Sequence, residues 1–248
     1  MKEKIFSQKQ IVSRTTFSFC FFILAFLGGI FLWKRIRHEP QDQGIPKTLR
    51  KGLSVDERIF SSVFDSARLL PTYPKSEAVK NVRVNGNVGV RSRLDTASWR
   101  LKVVRKTGDT LSFTMDDIKK LPKTEVVFDF KCIEGWSQKT WWGGVRFSDF
   151  LKYYHLDEQA RLSYAALMTP DREYYVGIDM ASILHPQTLL CYEMNGKALP
   201  LDQGYPLRLI IPVKYGIKHL KRIGTIYFSN QRPPDYWAER GYDYYAGH

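Results

Sequence analysis

The chain has 248 residues, 44% of them hydrophobic and 14% aromatic, which suits one substantial packed domain and excludes a disordered chain. A net charge of +13 favours an anionic partner. Nucleic acid is disfavoured, because the sequence has no zinc-finger spacing, no RNA-binding aromatic motif and no basic helix at groove spacing. Three cysteines are too few for a disulfide scaffold, and a Cys132–Cys191 bond is left open.

The first element in chain order is an uncharged segment, residues 15–33, rich in Phe, Leu and Ile. A helix of this length can cross a hydrocarbon core of about 30 Å. Trp33 and the bases of 34–37 suit the membrane interface. We therefore predict a retained single-pass anchor. A cleavable signal peptide is the alternative, disfavoured because the segment is long and no small-residue cleavage site follows.

The predicted elements after the anchor are short helices and many strands. Residues 54–57 form a capping-box pattern, which predicts a helix over 55–70. Asn85-Gly86-Asn87 predicts a turn. Two more short helices are expected at 114–122 and, capped by Ser148, at 149–154, with strands at 99–104, 111–114, 126–132, 163–168, 174–178, 188–193, 208–211 and 224–229. Because helices and strands do not alternate strictly, we predict an α+β fold.

The pattern around Cys132 is the most informative in the chain. Val126, Phe128, Phe130 and Cys132 alternate along a predicted strand, so they share one face. Gly135 breaks the strand, which places Cys132 where a rigid element gives way to a loop. A thiolate there could serve as a nucleophile, a redox group or a soft metal ligand. A small buried hydrophobe is the structural alternative.

A second pattern is a basic segment, residues 206–222, in which positive side chains interrupt very apolar sequence. Those side chains are Arg208, Lys214, Lys218, Lys221 and Arg222. Such a segment could hold a phosphate by point charges, an arginine fork and backbone N–H groups. A solvated basic face is the alternative, and the sequence alone leaves both open.

The two patterns together resemble the molybdopterin-dependent oxidoreductase domain of the sulfite oxidase superfamily, and within it the bacterial branch of methionine-sulfoxide reductase catalytic subunits. The family run Cys-x-Glu-x-Trp-Ser followed by Trp-x-Gly is matched by Cys132–Ser137 and 142–144. The run Pro-x-Arg-(apolar)-Pro-x-Lys-Tyr-Gly-x-Lys-x-x-Lys is matched by 206–221, and 185–190 and 195–200 are also similar. The likeness spans roughly residues 80–240.

The resemblance implies a sulfite-oxidase-type molybdopterin-binding fold of mixed β-sheets and short helices, preceded by one transmembrane helix. It implies that Cys132 is both the catalytic residue and the protein thiolate on molybdenum, the other sulfur ligands coming from the pterin dithiolene. The expected cofactor-binding residues are Asn85, Arg208, Lys214, Lys218, His219, Leu220 and Lys221. The expected organisation is a basic flank (1–14), an anchor (15–33), a linker (34–53), a helix with lead-in (54–80) and the molybdopterin-binding domain (81–248).

The expected function is therefore oxygen-atom transfer on a sulfoxide-type or other small oxidised substrate by a molybdenum–molybdopterin enzyme. Sulfite oxidation on the same fold is one alternative, and a non-catalytic anchored binding module is another. A cysteine hydrolase is a third, and it would need His155, His185 or His219 as a base. Electrons would come from a separate partner, a membrane haem protein or a quinone-linked subunit, because no haem-binding or flavin motif is present.

Several features make the substrate and the side of the membrane harder to predict. The chain has Gln203 where the reductase branch has an Asn shortly before the arginine. Ala166 falls near the position at which that branch has a threonine in contact with the cofactor. Arg146 and Arg172 are the only candidates for a substrate-binding arginine. The bases around the anchor favour a cytoplasmic domain, whereas residues 13–17 resemble a twin-arginine export signal with one arginine. We expect the domain in the periplasm at a bacterial inner membrane, with the cytoplasmic side as the alternative.

Overall fold

The computed structural model describes residues 7–248, and the chain divides into two compact units whose boundary lies between Gly52 and Leu53. The first unit contains helix α1 (Gln8–Arg37) and a short antiparallel hairpin of strands β1 (Gln41–Asp42) and β2 (Ile45–Pro46). Helix α2 (Lys47–Val63) crosses the boundary. The second unit holds every other element.

Helix α1 contains the predicted anchor segment and extends beyond it at both ends. Ser7 caps the helix: its hydroxyl accepts from the N–H of Gln10, whose side chain accepts from the N–H of Ser7. The most apolar window of the helix has a mean hydropathy of 2.1. By length and composition α1 can cross a membrane, a property that an N-terminal signal sequence shares.

Helix α2 begins and ends earlier than the predicted helix at 55–70. Its first turn is capped by the Glu39 carboxylate, which accepts from both the N–H and the hydroxyl of Thr48 (2.9 and 2.8 Å). Asp65 ends it, because its carboxylate accepts from the N–H of Ala67 and turns the chain before Pro71 is reached. The capping-box pattern at 54–57 therefore lies inside the helix, and that prediction was wrong.

Two five-stranded sheets form the framework of the second unit. The strands are β3 (Leu101–Val104), β4 (Thr110–Phe113), β5 (Thr124–Lys131), β6 (Ser137–Arg146), β7 (Tyr164–Met168), β8 (Tyr175–Asp179), β9 (Leu189–Met194), β10 (Lys197–Ala198), β11 (Arg208–Ile210) and β12 (Thr225–Ser229). Four short helices connect them, namely α3 (Met115–Lys119), α4 (Phe147–Tyr153), α5 (Asp157–Ala160) and α6 (Met180–Ile183). The fold is α+β, as predicted.

The two sheets differ in strand order and in the core cluster that each one contacts. One has the order β4-β3-β12-β7-β8, with β12 parallel to β3, and it packs on the larger core cluster. The other has the order β10-β9-β6-β5, with β11 also pairing with β9. A smaller core around Phe128, Trp142 and Ile210 lies against this second sheet. The second sheet therefore brings the Cys132 end of β5 and the Arg208 end of β11 into one structure.

Strand β6 was not predicted, because its tryptophan and glycine pairs hide the two-residue alternation. Its ladder with β9 shifts register between Gly143 and Gly144. A Cβ atom on Gly144 would lie 2.2 Å from the carbonyl oxygen of Leu190, so only glycine fits there. The structure also moves the start of α4 to Phe147, with Arg146 rather than Ser148 at its cap position.

We predict that Gly144→Ala lowers the free energy of unfolding by about 1–3 kcal/mol, because the new methyl group must displace backbone of β9. Gly143→Ala is the matched control, since its Cβ would meet the movable side chain of Glu193 at 3.1 Å. Urea denaturation of both variants in detergent checks the prediction. Equal losses of stability would contradict it.

Candidate active site

The turn between β5 and β6 fixes the position of Cys132. The strand ends at Lys131, and the N–H of Cys132 donates to the carbonyl of Trp136 (2.9 Å). The N–H of Gly135 donates back to the carbonyl of Cys132 (3.0 Å), and Gly135 has a φ of 88°, which favours glycine. Cys132 is only 3% exposed. The thiol is therefore held by a closed backbone turn.

The Cys132 turn forms one wall of a cavity of about 330 Å³. The amide Nδ2 of Asn85 lies 3.3 Å from Cys132 Sγ and donates to it. The Asn85 loop is itself held by Lys221, whose Nζ donates to the carbonyls of Asn85 and Gly86, both at 2.9 Å. Three of the residues expected around a cofactor, distant in sequence, therefore meet in this cavity.

Arg208 lies in the wall of the same cavity and is 2% exposed. Its Nη1 donates to the backbone and side-chain oxygens of Gln203 (3.0 and 2.8 Å), and its guanidinium stacks over Trp142 at 4.5 Å. Its Nε is buried without a hydrogen-bond partner, and no carboxylate of residues 7–248 forms an ion pair with Arg208. Burial lowers the pKa of Arg208 to about 10. A buried cation with a spare donor is suited to an anionic group.

Lys221 and His219 also line the cavity, but they differ in charge. Burial, and then the nearby Arg208, lower the pKa of Lys221 to about 8. The same two causes lower the pKa of His219 to about 3, so its ring is neutral. The N–H of Ile211 donates to Nδ1 of His219 (3.4 Å), and Nε2 donates to the carbonyl of Lys214 (3.0 Å). His219 therefore braces the basic segment and has no free nitrogen to act as a base.

Lys214, Lys218 and Leu220, which were expected to bind the cofactor, do not line the cavity. The ammonium of Lys214 pairs with Asp179 (2.8 Å), and that of Lys218 pairs with Asp235 (2.5 Å). Leu220 is buried in the larger core cluster, and its carbonyl accepts from the N–H of Leu209. A buried ammonium needs a carboxylate, so the two lysines turn towards acids elsewhere in the fold. The structure therefore places these three residues outside the cavity lining, and their expected role in cofactor binding stays a prediction.

Other lining residues were missed, or only partly indicated, by the sequence. Arg83 stacks over the Trp136 ring at 4.8 Å and lies 4.0 Å from the Glu134 carboxylate, to which the Trp136 indole donates (3.0 Å). Trp237 and Tyr242 add two more aromatic rings. Glu134 and Trp136 belong to the cysteine motif, whereas nothing in the sequence distinguishes Arg83. The earlier candidates Arg146 and Arg172 are not among the lining residues.

Tyr174 and Asp235 position the walls of the cavity. The hydroxyl of Tyr174 donates to the carbonyl of Ile217 (2.7 Å), and burial raises the pKa of that phenol. Asp235 accepts from Lys218 and from the N–H of Gly177 (3.2 Å), and also from the N–H of Trp237 (3.2 Å). One carboxylate thus neutralises a buried lysine and fixes the loop that carries Trp237.

The cysteines and acids of residues 7–248 do not form a metal site by themselves. No group of three or more His, Cys, Asp or Glu side chains in that range is arranged to hold a metal ion. Cys20, Cys132 and Cys191 are all free thiols, so the open question of a Cys132–Cys191 disulfide is answered in the negative. A metal at Cys132 would therefore need further ligands from a cofactor.

Comparison with known proteins defines the class. The family model described as "oxidoreductase molybdopterin binding domain" matches residues 87–237, which contain Cys132, Arg208 and Lys221. The chain belongs to this family, and it is a molybdopterin-dependent oxidoreductase of the sulfite oxidase type. The predicted family, fold class and cofactor are confirmed.

Two curated relatives show the branch of the family. The chain is 37% identical over 188 residues to a putative protein-methionine-sulfoxide reductase subunit, YedZ1, of Azospira oryzae, covering 75% of this chain and 70% of that protein. It is 31% identical over 176 residues to the protein-methionine-sulfoxide reductase catalytic subunit MsrP of Campylobacter jejuni, covering 64% and 59%. The sulfane dehydrogenase SoxCD of Paracoccus pantotrophus shares the fold, with a TM-score of 0.51 and 19% identity over 57% of this chain and 40% of that one.

The residues of the cavity fit the cofactor that the family implies. The fit rests on three features, namely the buried thiol of Cys132, the unpartnered Nε of Arg208 and the half-buried Lys221 in the cavity wall. A thiolate suits a soft metal, and these two cations suit the phosphate of a pterin.

We predict that Asp235→Ala lowers the free energy of unfolding by about 3–5 kcal/mol, because it leaves the buried ammonium of Lys218 unpaired. Glu77→Ala removes a solvent-exposed partner of Lys139 and should change stability little. Denaturation curves of both variants check this. The pair Asp235→Leu with Lys218→Met should regain much of the loss, and a double variant no better than Asp235→Ala would contradict the reason given.

Proposed function

We propose that the protein is a membrane-anchored reductase that removes the oxygen atom from a sulfoxide, with methionine sulfoxide as the substrate class. The observation that carries this proposal is Cys132, buried on a closed turn, 3.3 Å from Asn85 and facing a cavity with an uncompensated arginine. The cofactor, when bound, supplies the metal centre for oxygen-atom transfer and for the exchange of two electrons. The chain supplies position, charge and a shaped cavity.

Cys132 is proposed as the one protein ligand of the metal. The amide of Asn85 donates towards its sulfur and holds its direction. Arg208 and Lys221 are proposed to hold the pterin phosphate through charge-assisted hydrogen bonds. His219, bonded through both ring nitrogens, is proposed to keep the backbone of 211–219 in the shape that these contacts need.

The substrate is proposed to bind among the aromatic rings of the cavity. Trp136, Trp237 and Tyr242 line it, and a thioether or sulfoxide makes favourable contacts with such rings. Arg208 and Lys221 are proposed for the pterin phosphate, and Arg83 lies beside Glu134, so these cations are not available to an anionic substrate. A neutral sulfoxide therefore suits the space better than an anion such as sulfite. The names of the two relatives, both methionine-sulfoxide reductase subunits, support the same substrate class.

Reduction of a sulfoxide to a thioether and water takes up two protons as well as two electrons. Glu134 is the only carboxyl side chain among the residues that line the cavity within the described part of the chain. Its Oε2 accepts from the Trp136 indole, which fixes it at the wall. We propose that this carboxyl group, whose side chain is 53% exposed, relays protons from the solvent to the departing oxygen atom.

The electrons are proposed to come from a separate protein. The relatives are named as subunits, one of them as a catalytic subunit, which supports a two-component system. The partner is proposed to be a membrane haem protein or a quinone-linked subunit. Helix α1 is proposed as the single-pass anchor in a bacterial inner membrane, with the catalytic domain in the periplasm.

The structure gives no support to a cysteine hydrolase. Such an enzyme needs a histidine with a free nitrogen beside the thiol. His219 is the only histidine that lines the cavity in the described chain, and both of its nitrogens are bonded to the backbone.

We predict that the purified holoenzyme reduces methionine sulfoxide with a reduced viologen dye as electron donor, and that Cys132→Ser loses this activity almost completely. Cys191→Ser is the matched control, because its buried thiol donates to the carbonyl of Glu193 and does not line the cavity, so the variant should keep most of the rate. Consumption of the dye measures both. Sulfite oxidation by the wild type without sulfoxide reduction would overturn the proposed direction, and a fully active Cys132→Ser would overturn the proposed ligand.

We also predict that cofactor binding to the cofactor-free protein weakens as the pH rises through about 8. The pKa of Lys221 in that state is about 8, so above this pH a proton must be taken up before the ammonium can meet a phosphate. Lys221→Met should bind less cofactor at every pH and lose this slope. Titration of the cofactor-free protein with molybdopterin at about pH 6.5 and about pH 9.5, roughly one and a half units below and above that pKa, measures the effect. A pH-independent affinity in the wild type would contradict the role of Lys221.

A further inference from the structure

Helix α2 carries its apolar stripe on the outside of the molecule. Val55, Ile59, Phe60 and Val63 recur at helical spacing, and their side chains are 50, 54, 53 and 72% exposed. We call these four residues the outer face of α2. In a surface helix of a globular domain such a stripe normally packs on the core. Here it stays uncovered within the described residues, so the helix has an unusual orientation.

Polar contacts on the opposite side fix that orientation. Glu57 forms an ion pair with Arg232, and its side chain is only 18% exposed. Glu57 therefore faces the domain, whereas the four apolar residues of the outer face point away from it. Simple hydrophobic burial within the domain would produce the reverse arrangement. An apolar surface that covers the outer face of α2 would account for this orientation.

The apolar surface does not stop at the helix. Phe60 and Val63 also line a groove of about 480 Å³, together with Leu69, which is 59% exposed, and with Val213 and Tyr245. The groove joins the outer face of α2 to the C-terminal segment of the chain. The uncovered surface is therefore broader than one helical stripe, which is typical of an interaction surface.

The position of α2 along the chain favours a lipid surface. Only residues 38–46 separate α2 from the end of α1, the candidate membrane span, and they reach no more than about 30 Å even when fully extended. If α1 is inserted, α2 begins within that distance of the headgroups. Lys47, Lys51 and Arg58 on α2 suit acidic lipid headgroups. Asp56 is the one exposed acid of α2; it precedes Val63 by seven residues, close to two helical turns, so it lies beside the outer face and must remain at headgroup depth.

We propose that the outer face of α2 lies in the headgroup region of the bilayer and holds the catalytic domain against the membrane. An amphipathic helix of this kind buries its apolar side by about 5–10 Å. The domain then rests on the membrane instead of hanging from a free linker, which places it beside a membrane-embedded electron donor. This inference rests on the proposed anchoring by α1.

The test uses the full chain reconstituted in vesicles of phosphatidylcholine and phosphatidylglycerol. In a Cys20→Ser background, single cysteines replace Phe60, Val63, Ser61 or Leu24 and carry an environment-sensitive fluorophore, since Cys132 and Cys191 are buried. Ser61 is the matched control on another side of α2, and Leu24 reports insertion of α1. Spin-labelled lipid quenches fluorophores in the bilayer, and aqueous iodide quenches exposed ones.

We expect lipid quenching at positions 60 and 63 to exceed that at 61 several-fold, with position 24 also quenched. Quenching at 60 and 63 no greater than at 61, with position 24 quenched, would overturn the inference and leave the anchor standing. Loss of quenching at all four positions would overturn both. Protection of 60 and 63 from iodide without lipid quenching would also overturn it, because a protein, such as a second copy, would then cover the face.

Discussion

The arrangement of this domain depends on where buried positive charges find their counter-charges. Four cations of the basic segment lie almost entirely inside the protein, and a buried cation is costly unless a carboxylate or other acceptor is close. Asp179 neutralises Lys214, and Asp235 neutralises Lys218. Arg222 donates to the carbonyl of Ser92. Neither arginine forms an ion pair with an acid among the described residues, and of the two only Arg208 lies in the wall of the Cys132 cavity.

This distribution of charge connects the fold to the proposed chemistry. The acids that pair with the two lysines come from the end of β8 and from the C-terminal segment, so both regions are held against the basic segment. The C-terminal region in turn brings Trp237 and Tyr242 to the cavity. The turn between β5 and β6 supplies the thiol of Cys132 to the same cavity. A site that is cationic in one wall and aromatic in another suits a phosphate-bearing cofactor beside an uncharged sulfur substrate.

The sequence predicted the local features well and the long-range ones poorly. The alternation of Val126 and Phe128, broken by Gly135, was enough to place Cys132 at the end of a strand. The number of bases after Pro206 indicated an anion site but could not show which of them face it. That choice depends on Asp179 and Asp235, which neighbour the lysines only after folding. Strand β6 escaped prediction because Gly143 and Gly144, needed for close contact with β9, look like a turn in sequence.

The orientation of α2 was also beyond sequence reasoning. Its apolar spacing is visible in the sequence, but spacing alone predicts burial against the domain. Only the folded structure shows that Glu57 faces inwards, in contact with Arg232, and that the apolar stripe is exposed. The apolar side of such a helix is then available to a membrane. The exposed apolar residues therefore reflect where the domain lies in the cell and not what the stability of the domain requires.

The most direct test of the account is elemental analysis for molybdenum on the detergent-purified wild-type protein, produced in a host with an active molybdopterin pathway. The account predicts about one molybdenum atom per chain, as one cavity with one thiol requires. A well-folded preparation from such a host that contains no molybdenum would contradict the proposed site and favour an anchored binding module.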